Sequence, residues 1–201
     1  MDSERPSGIA ADAVDRQGDE ALFARLEALA TGLGAYRAKV IPVDSVETDV
    51  AFREMCAKNV CGNYGRCWTC PPDVGDIETM IARLRSFRYI LVYQYVGTLE
   101  DSFDFEGMMD AGQKHNELTA AVRAACEKET FADSIYLCAG GCRLCPVCAK
   151  RTGEPCRHPD EALVSLEAYG VNVSRLAAAA GMKYINGQNT VTYFSGVLFN
   201  P

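Results

Sequence analysis

The sequence predicts a domain of the α/β or α+β class, in which a mixed sheet of about four strands packs against helices. Two observations support this prediction. Hydrophobic patterns typical of helices and of strands alternate along the chain. In addition, 48% of the 201 residues are hydrophobic, which is enough for a core. Residues 1–17 lack any sustained periodicity, so we predict a flexible lead-in before a single domain at 18–201.

The first half of the chain is predicted to contain three helices and two strands. Leucines recur at helical spacing between residues 19 and 33, and glycines end that pattern. A partly alternating strand at 35–43 follows, and then a helix at 46–56 leads to the first cysteine. After two prolines, a helix at 77–84 precedes a continuous β-branched and aromatic run at 89–96, which is typical of a buried strand.

The second half continues this alternation. A long helical pattern at 106–129 is followed by a short strand at 134–137, which leads directly into a second group of cysteines. Downstream of that group we predict, in order, a helix at 160–168 capped by Asp160, a helix at 174–180 capped by Ser174 and a closing strand at 190–199.

Composition excludes several classes of function. The net charge of -7 argues against a nucleic-acid partner. No apolar stretch approaches the roughly 20 residues of a membrane span, and the first residues lack a signal peptide, so we predict a cytoplasmic protein without membrane contact. Ten cysteines in such a protein favour metal binding over disulfides.

The first group has the spacing Cys56-x4-Cys61-x5-Cys67-x2-Cys70 and is followed by two prolines. Four thiolates within fifteen residues can converge on one metal centre, and glycines between them allow tight turns. The spacing matches no standard ferredoxin motif. The alternative is that one or two of these residues, Cys67 above all, are buried structural thiols.

The second group is denser and contains five cysteines, one more than a four-ligand site requires. Three of them repeat the C-x2-C-x2-C step with which thiolates bind three irons of a cubane cluster, and either Cys138 or Cys156 can bind the fourth. A four-thiolate zinc site is the alternative. The candidate ligands of this group are Cys142, Cys145, Cys148 and Cys156.

Three further residues are predicted to lie outside the metal sites. Cys126, alone on the long helix, is expected to be a core thiol. His158 is interpreted as a loop side chain rather than a ligand, and His115 as a surface residue.

The two cysteine groups resemble those of the DUF2284 family of predicted metal-binding proteins. The resemblance rests on residues 52–72, with Cys-Gly-Asn-Tyr-Gly-Arg-Cys-Trp-Thr-Cys-Pro-Pro, and on residues 139–173, with Gly-Gly-Cys-Arg-Leu-Cys-Pro-Val-Cys. It implies a metal centre in each group and leaves the reaction open. Cys67 and Cys138 depart from the family pattern, whereas the pattern supports as ligands Cys56, Cys61, Cys70, Cys142, Cys145, Cys148 and Cys156.

Three functions are compatible with these motifs. The first is an electron-transfer protein with one or two [4Fe-4S] clusters and a redox partner protein, whose basic face would dock on an acidic surface. The second is an enzyme that uses a three-cysteine cluster on a small-molecule substrate, with Cys67 as a catalytic thiol. The third is an interaction module stabilised by zinc.

Overall fold

Five strands form one mixed sheet in the computed structural model, which describes the backbone of residues 8–201 and the side chains of residues 18–201. The strand order is β1-β2-β5-β3-β4, and every pairing is antiparallel except that of β3 with β4. The last strand of the chain therefore lies in the middle of the sheet. The strands are β1 Arg37–Pro42, β2 Tyr89–Thr98, β3 Asp133–Cys138, β4 Val164–Ser165 and β5 Thr190–Asn200.

Helices cover both faces of this sheet. Alternate residues of β2 enter two different cores, as the two-residue period of a strand requires. Ile90 packs with α3 and α5, whereas Leu91 packs with α1 and α4. The continuous apolar run of β2 is thus explained by burial on both faces. The helices are α1 Gly8–Gly32, α2 Ala51–Ala57, α3 Ile77–Arg85, α4 Phe105–Cys126 and α5 Val173–Ala179.

The predicted class is confirmed, and all four predicted strands occur within two residues of their expected bounds. The helix predicted at 160–168 is wrong. In its place, the two residues of β4 pair with the end of β3, and a short 3-10 helix, Glu167–Tyr169, follows. The backbone N–H of Leu166 donates to the carbonyl of Cys138 at 3.0 Å, so pairing with the sheet replaces a local helix here.

Two other helices differ from prediction at their starts. The cap of α5 is Asn172, whose side chain accepts from the backbone N–H of Arg175, and Ser174 instead donates to Asn172. The helix predicted at 46–56 begins only at Ala51, because Thr48 forms a bridge with Val171 in extended backbone.

The first helix starts earlier than residue 19, the start that the leucine pattern predicts. Its backbone is helical from Gly8, so part of the predicted lead-in belongs to α1, and residues 1–7 lie outside the described residues. The division into lead-in and domain stays a prediction. Among the helices that the structure describes, none has both the length and the apolar character needed to cross a membrane.

Candidate metal centres

The first cysteine segment, residues 56–72, leaves α2 and folds back on itself as an irregular loop. Asn59, Gly62 and Gly65 all have φ between 54° and 73°. This left-handed region favours glycine and asparagine, so these residues turn the chain where bulkier ones would be strained. The N–H of Gly65 then donates to the carbonyl of Pro71 at 2.8 Å and closes the loop.

The four thiols of this segment are neighbours. Cys67 is only 2% exposed, and a hydrogen bond between the Cys67 and Cys70 thiols lowers the pKa of Cys67 and raises that of Cys70. Burial further raises the pKa of Cys70, and so do the charges of Cys67, Cys61 and Cys56. The four cysteines therefore lie in one region of the loop, although no three of them form a ready site for a single ion.

The second cysteine segment, residues 138–158, surrounds a small cavity of about 20 Å³. After the third cysteine of the C-x2-C-x2-C step, a 3-10 helix, Ala149–Thr152, ends at Gly153, whose φ of 74° reverses the chain. This reversal returns Cys156 to the cavity. The residues that line it are Cys142, Leu144, Cys145, Cys148, Ala149, Cys156, Arg157 and His158.

Cys138 does not line this small cavity. It ends β3, and its buried thiol lies 3.5 Å from the carbonyl of Leu163 and 3.8 Å from that of Gly140, to which it can donate. Burial raises the pKa of Cys138 to about 12, so its proton is held tightly. Of the two possible fourth ligands, Cys156 is the one placed with the other three.

The two segments are in direct contact. The backbone of Cys142 lies close enough to the Cys67 thiol to help lower its pKa, after the larger effects of Cys70 and Thr69. At Gly141, a Cβ atom would lie 3.5 Å from the sulfur of Cys70 and 2.8 Å from the side-chain nitrogen of Asn63. The absence of a side chain at this position therefore lets the second segment approach the first.

Polar side chains also join the two segments. Lys150 forms an ion pair with Asp73 and lies 4.2 Å from the centroid of the Trp68 ring. The indole N–H of Trp68 donates to the carbonyl of Glu154 at 3.0 Å. The segments thus form one continuous region, although more than 60 residues separate them in the chain.

The other predicted residues have different outcomes. Cys126, the last residue of α4, is 1% exposed and packs in the core that α1 and α4 form with the sheet, as predicted. Burial raises its pKa to about 12. His158 lines the small cavity, with Nδ1 3.3 Å from an oxygen of Glu161. It therefore lies beside the cysteines, and whether it acts as a ligand or only as a loop side chain stays a prediction.

His115 is not a surface residue, so that prediction is wrong. It is 1% exposed, its Nε2 lies 2.8 Å from the hydroxyl of Ser195, and its ring stacks on Tyr193. Burial lowers its pKa to about 4, and the charge of Arg143 adds to that effect. Helical spacing from Leu118 is the signal that could have placed it on the buried face of α4.

The family comparison follows the same region of the chain. The sequence profile of the DUF2284 family, described as predicted metal-binding proteins, matches residues 39–199. The chain belongs to this family. The match includes both cysteine segments and nearly the whole sheet. No curated protein and no solved structure matches the chain.

The donor set of this DUF2284 protein suits a metal centre bound by soft ligands. Thiolates select iron-sulfur clusters, zinc or copper(I) rather than hard cations. Within residues 18–201, no three Cys, His, Asp or Glu side chains are gathered as a ready site for one ion. The thiols around the small cavity are therefore not arranged as a site for a single ion.

The surface around the cysteines of this DUF2284 protein is basic, although the chain as a whole has a charge of -7. The two segments contain six basic side chains and one acidic one, so the rest of the chain is more acidic than the total suggests. Lys150 and Arg157 are paired with carboxylates. The six basic residues are Lys58, Arg66, Arg143, Lys150, Arg151 and Arg157, and the acidic one is Glu154.

Proposed function

We propose that this DUF2284 protein is an iron-sulfur electron-transfer protein with a [4Fe-4S]-type cluster in each cysteine segment. The observation that supports it most is the direct contact between the two segments, in which Gly141 lies against Cys70 and the indole N–H of Trp68 donates to the carbonyl of Glu154. Such a contact would favour electron exchange between two centres, one in each segment. The proposed ligands are Cys56, Cys61, Cys67 and Cys70 in one segment and Cys142, Cys145, Cys148 and Cys156 in the other.

The second segment supports a cubane cluster for two reasons. Its C-x2-C-x2-C step is the one that bacterial ferredoxins use for three irons, and Cys156 lines the same cavity as those three cysteines. The guanidinium of Arg157 lies beside the sulfur of Cys145 and would stabilise negative charge on it.

The first segment supports a second centre through its hydrogen bonds. A cluster supplies one-electron redox chemistry, and the protein adjusts its potential through hydrogen bonds to sulfur and through burial. Cys67 is buried and its thiol lies close to the backbone of Cys142, so it is placed to act as such a ligand. Its burial also disfavours the alternative role of Cys67 as a catalytic thiol, which would need access to substrate.

The partner in this proposal is a redox protein with an acidic docking face. Four of the six basic side chains around the cysteines, those of Lys58, Arg66, Arg143 and Arg151, are exposed and form no ion pair with any residue that the structure describes. Opposite charge on a partner steers association and fixes its orientation. This reverses the expectation from net charge alone, which favoured a basic partner face.

Metal content measured on matched variants tests the proposal. After anaerobic purification from an iron-replete host, we expect about eight irons per chain with equal sulfide and a broad absorption band near roughly 400 nm. Cys148→Ala should lose about half of the iron and sulfide, because one of its two centres loses a ligand. Cys126→Ala, which removes a core thiol, should keep all of it.

Two results would contradict this function. Stoichiometric zinc in a colourless protein would show that the chain is a zinc-stabilised module and does not hold the two clusters. Equal loss of iron in the Cys126→Ala and Cys148→Ala variants would mean that the assignment of ligands is wrong. The same purification of the Cys70→Ala variant tests the first segment separately. This variant should lose the centre of the first segment and keep the centre that Cys148 binds.

A further inference from the structure

A cavity of about 510 Å³ lies between α4 and the second cysteine segment. It is separate from the small cavity among the cysteines, and Cys142 and Leu144 line both. Its volume falls within the range of about 300 to 1,000 Å³ that is typical of small-molecule sites. Neither the cysteine motifs nor the family description accounts for it.

The walls of this cavity are largely apolar, with a polar group at each side. Ala120 and Ala124 are four residues apart and so present one face of α4 to the cavity. Leu144 and Leu163 line it from the other side, and the amide of Asn116 also reaches it. Such a lining suits an organic molecule with an apolar body.

Arg143 is the cationic group of the cavity that lacks a partner. Within residues 18–201 it forms no ion pair, whereas Arg123 is bound to Glu127 at 2.7 Å. Of the remaining carboxylates of the lining, Glu117 accepts from the neutral amide of Gln113 and Glu161 lies beside His158, and neither forms an ion pair with Arg143.

A glycine on α4 makes room for the guanidinium of Arg143. A Cβ atom at Gly112 would lie 2.6 Å from Nη1 of Arg143 and 3.4 Å from the hydroxyl of Tyr193. A Cβ atom at this position would meet the far end of the flexible Arg143 side chain, which would have to shift. The guanidinium of Arg143 thus lies against α4 at Gly112, at the edge of an open cavity.

We propose that this cavity binds a small organic anion, with its carboxylate or sulfonate on Arg143 and its apolar body against Ala120 and Ala124. An arginine guanidinium matches the two oxygens of such a group with two parallel hydrogen bonds. The anion would then lie beside Cys142, next to the proposed metal centre. The proposed contacts are made by α4 and Arg143, and none of them is to a cluster.

A fluorescence titration with 8-anilinonaphthalene-1-sulfonate tests this site on the purified full chain. We expect saturable binding of one probe per chain. Arg143→Gln should weaken that binding about tenfold, which is the usual effect of losing a charge-assisted hydrogen bond. Arg151→Gln, which removes a charge of the same segment outside the cavity lining, should leave the affinity within about twofold of the original.

Two further variants separate the cavity from charge alone. Ala120→Trp fills the cavity from an exposed position on α4 and should abolish the saturable signal. Gly112→Ala should shift the guanidinium and so weaken binding of the probe, and a circular dichroism spectrum that matches the unmodified protein excludes unfolding as the cause. Circular dichroism and iron content, measured on every variant, should match those of the unmodified protein.

A neutral probe identifies the role of the anionic group. N-phenyl-1-naphthylamine lacks the sulfonate, and its affinity should not change in Arg143→Gln. The proposal is overturned if Ala120→Trp binds the sulfonate probe normally, or if Arg143→Gln and Arg151→Gln weaken it equally. These outcomes are read from probe binding at matched iron content, so failure of this site is distinguishable from failure of the electron-transfer function.

Discussion

His115 forms a polar network in the otherwise apolar interface between α4 and the sheet. Its Nε2 lies 2.8 Å from the hydroxyl of Ser195, which in turn lies 3.2 Å from the hydroxyl of Thr119. Tyr193 stacks on the ring, and Arg143 is the charged group that approaches it. A neutral imidazole satisfies this network, whereas a protonated one would be a buried charge next to a guanidinium.

Stability should therefore fall when His115 is forced to accept a proton. Its pKa is about 4 in the folded protein and about 6.5 when unfolded, so the unfolded chain binds the proton first as pH decreases. The contribution is fully present above pH 6.5 and is lost towards pH 4, with an upper limit of about 3 kcal/mol. Urea unfolding at pH 7 and pH 4 measures this loss.

The variant His115→Gln keeps a polar partner for Ser195 and removes the titration. Its free energy of unfolding should decrease less between pH 7 and pH 4 than that of the unmodified protein. Equal decreases in the two proteins would show that His115 is not responsible. Because both proteins share the same carboxylates and cysteines, the difference between them isolates this side chain.

Burial of single residues was only partly predictable from the sequence. Cys126 was correctly assigned to the core because an isolated cysteine on an amphipathic helix is usually buried. His115 lies on the same face of the same helix, yet its residue type suggests the surface. Its burial depends on Ser195, which is 80 residues away and supplies the hydrogen bond that makes a buried imidazole tolerable.

The two cysteine segments are irregular elements attached to the outside of a regular scaffold. None of the eight candidate ligands belongs to either hydrophobic core, and the second segment contains a single turn of 3-10 helix as its regular structure. The sheet and its helices are thus held together by two hydrophobic cores to which no candidate metal ligand contributes.

Removal of metal should therefore loosen the segments and leave the scaffold folded. After chelation under reducing conditions, amide hydrogen exchange should become faster at residues 56–72 and 138–158, while β2 and β5 stay protected. Mass spectrometry of peptides from treated and untreated protein measures this. Equal loss of protection in β2 would mean that the whole domain needs the metal, as a zinc finger does.

At the level of elements, long patterns were more reliable than short ones. The continuous run that became β2 and the long helix α4 were predicted because each spans many residues with one period. The segment at 160–168 is too short for its hydrophobic period to distinguish a helix from a strand. Its pairing with β3 depends on tertiary structure. Asn172 and Ser174 are two residues apart and have similar capping ability, and Asn172 is the one whose side chain accepts from the backbone N–H of Arg175.

Over the whole molecule, positive charge is concentrated on the cysteine segments of an acidic protein. We expect binding of an acidic ferredoxin, used as a probe, to weaken several-fold between about 50 and 300 mM NaCl, because salt screens exposed charges. Arg66→Glu should weaken it at low salt, whereas Arg37→Glu on β1, outside both segments, should not. Isothermal titration calorimetry measures these affinities, and tighter binding of basic cytochrome c would contradict the prediction.

The contact between the two segments could not be predicted from the sequence at all. The spacing of cysteines within each group is local and can be read directly, so the groups themselves were evident. Their approach depends on the sheet order and on a glycine at position 141, neither of which leaves a pattern in one sequence. The same is true of the cavity at Arg143, which α4 and a distant loop form together.

The central position of β5 also determines the order in which the parts of the sheet can form during translation. Residues 190–200 are translated after both cysteine segments, yet β5 is the strand that joins β2 to β3. Before it is added, the two halves of the sheet share no strand pairing, and long-range pairing of this kind is slow to form. Both sets of thiols therefore leave the ribosome before the strand that joins the two halves of the sheet is available to align them.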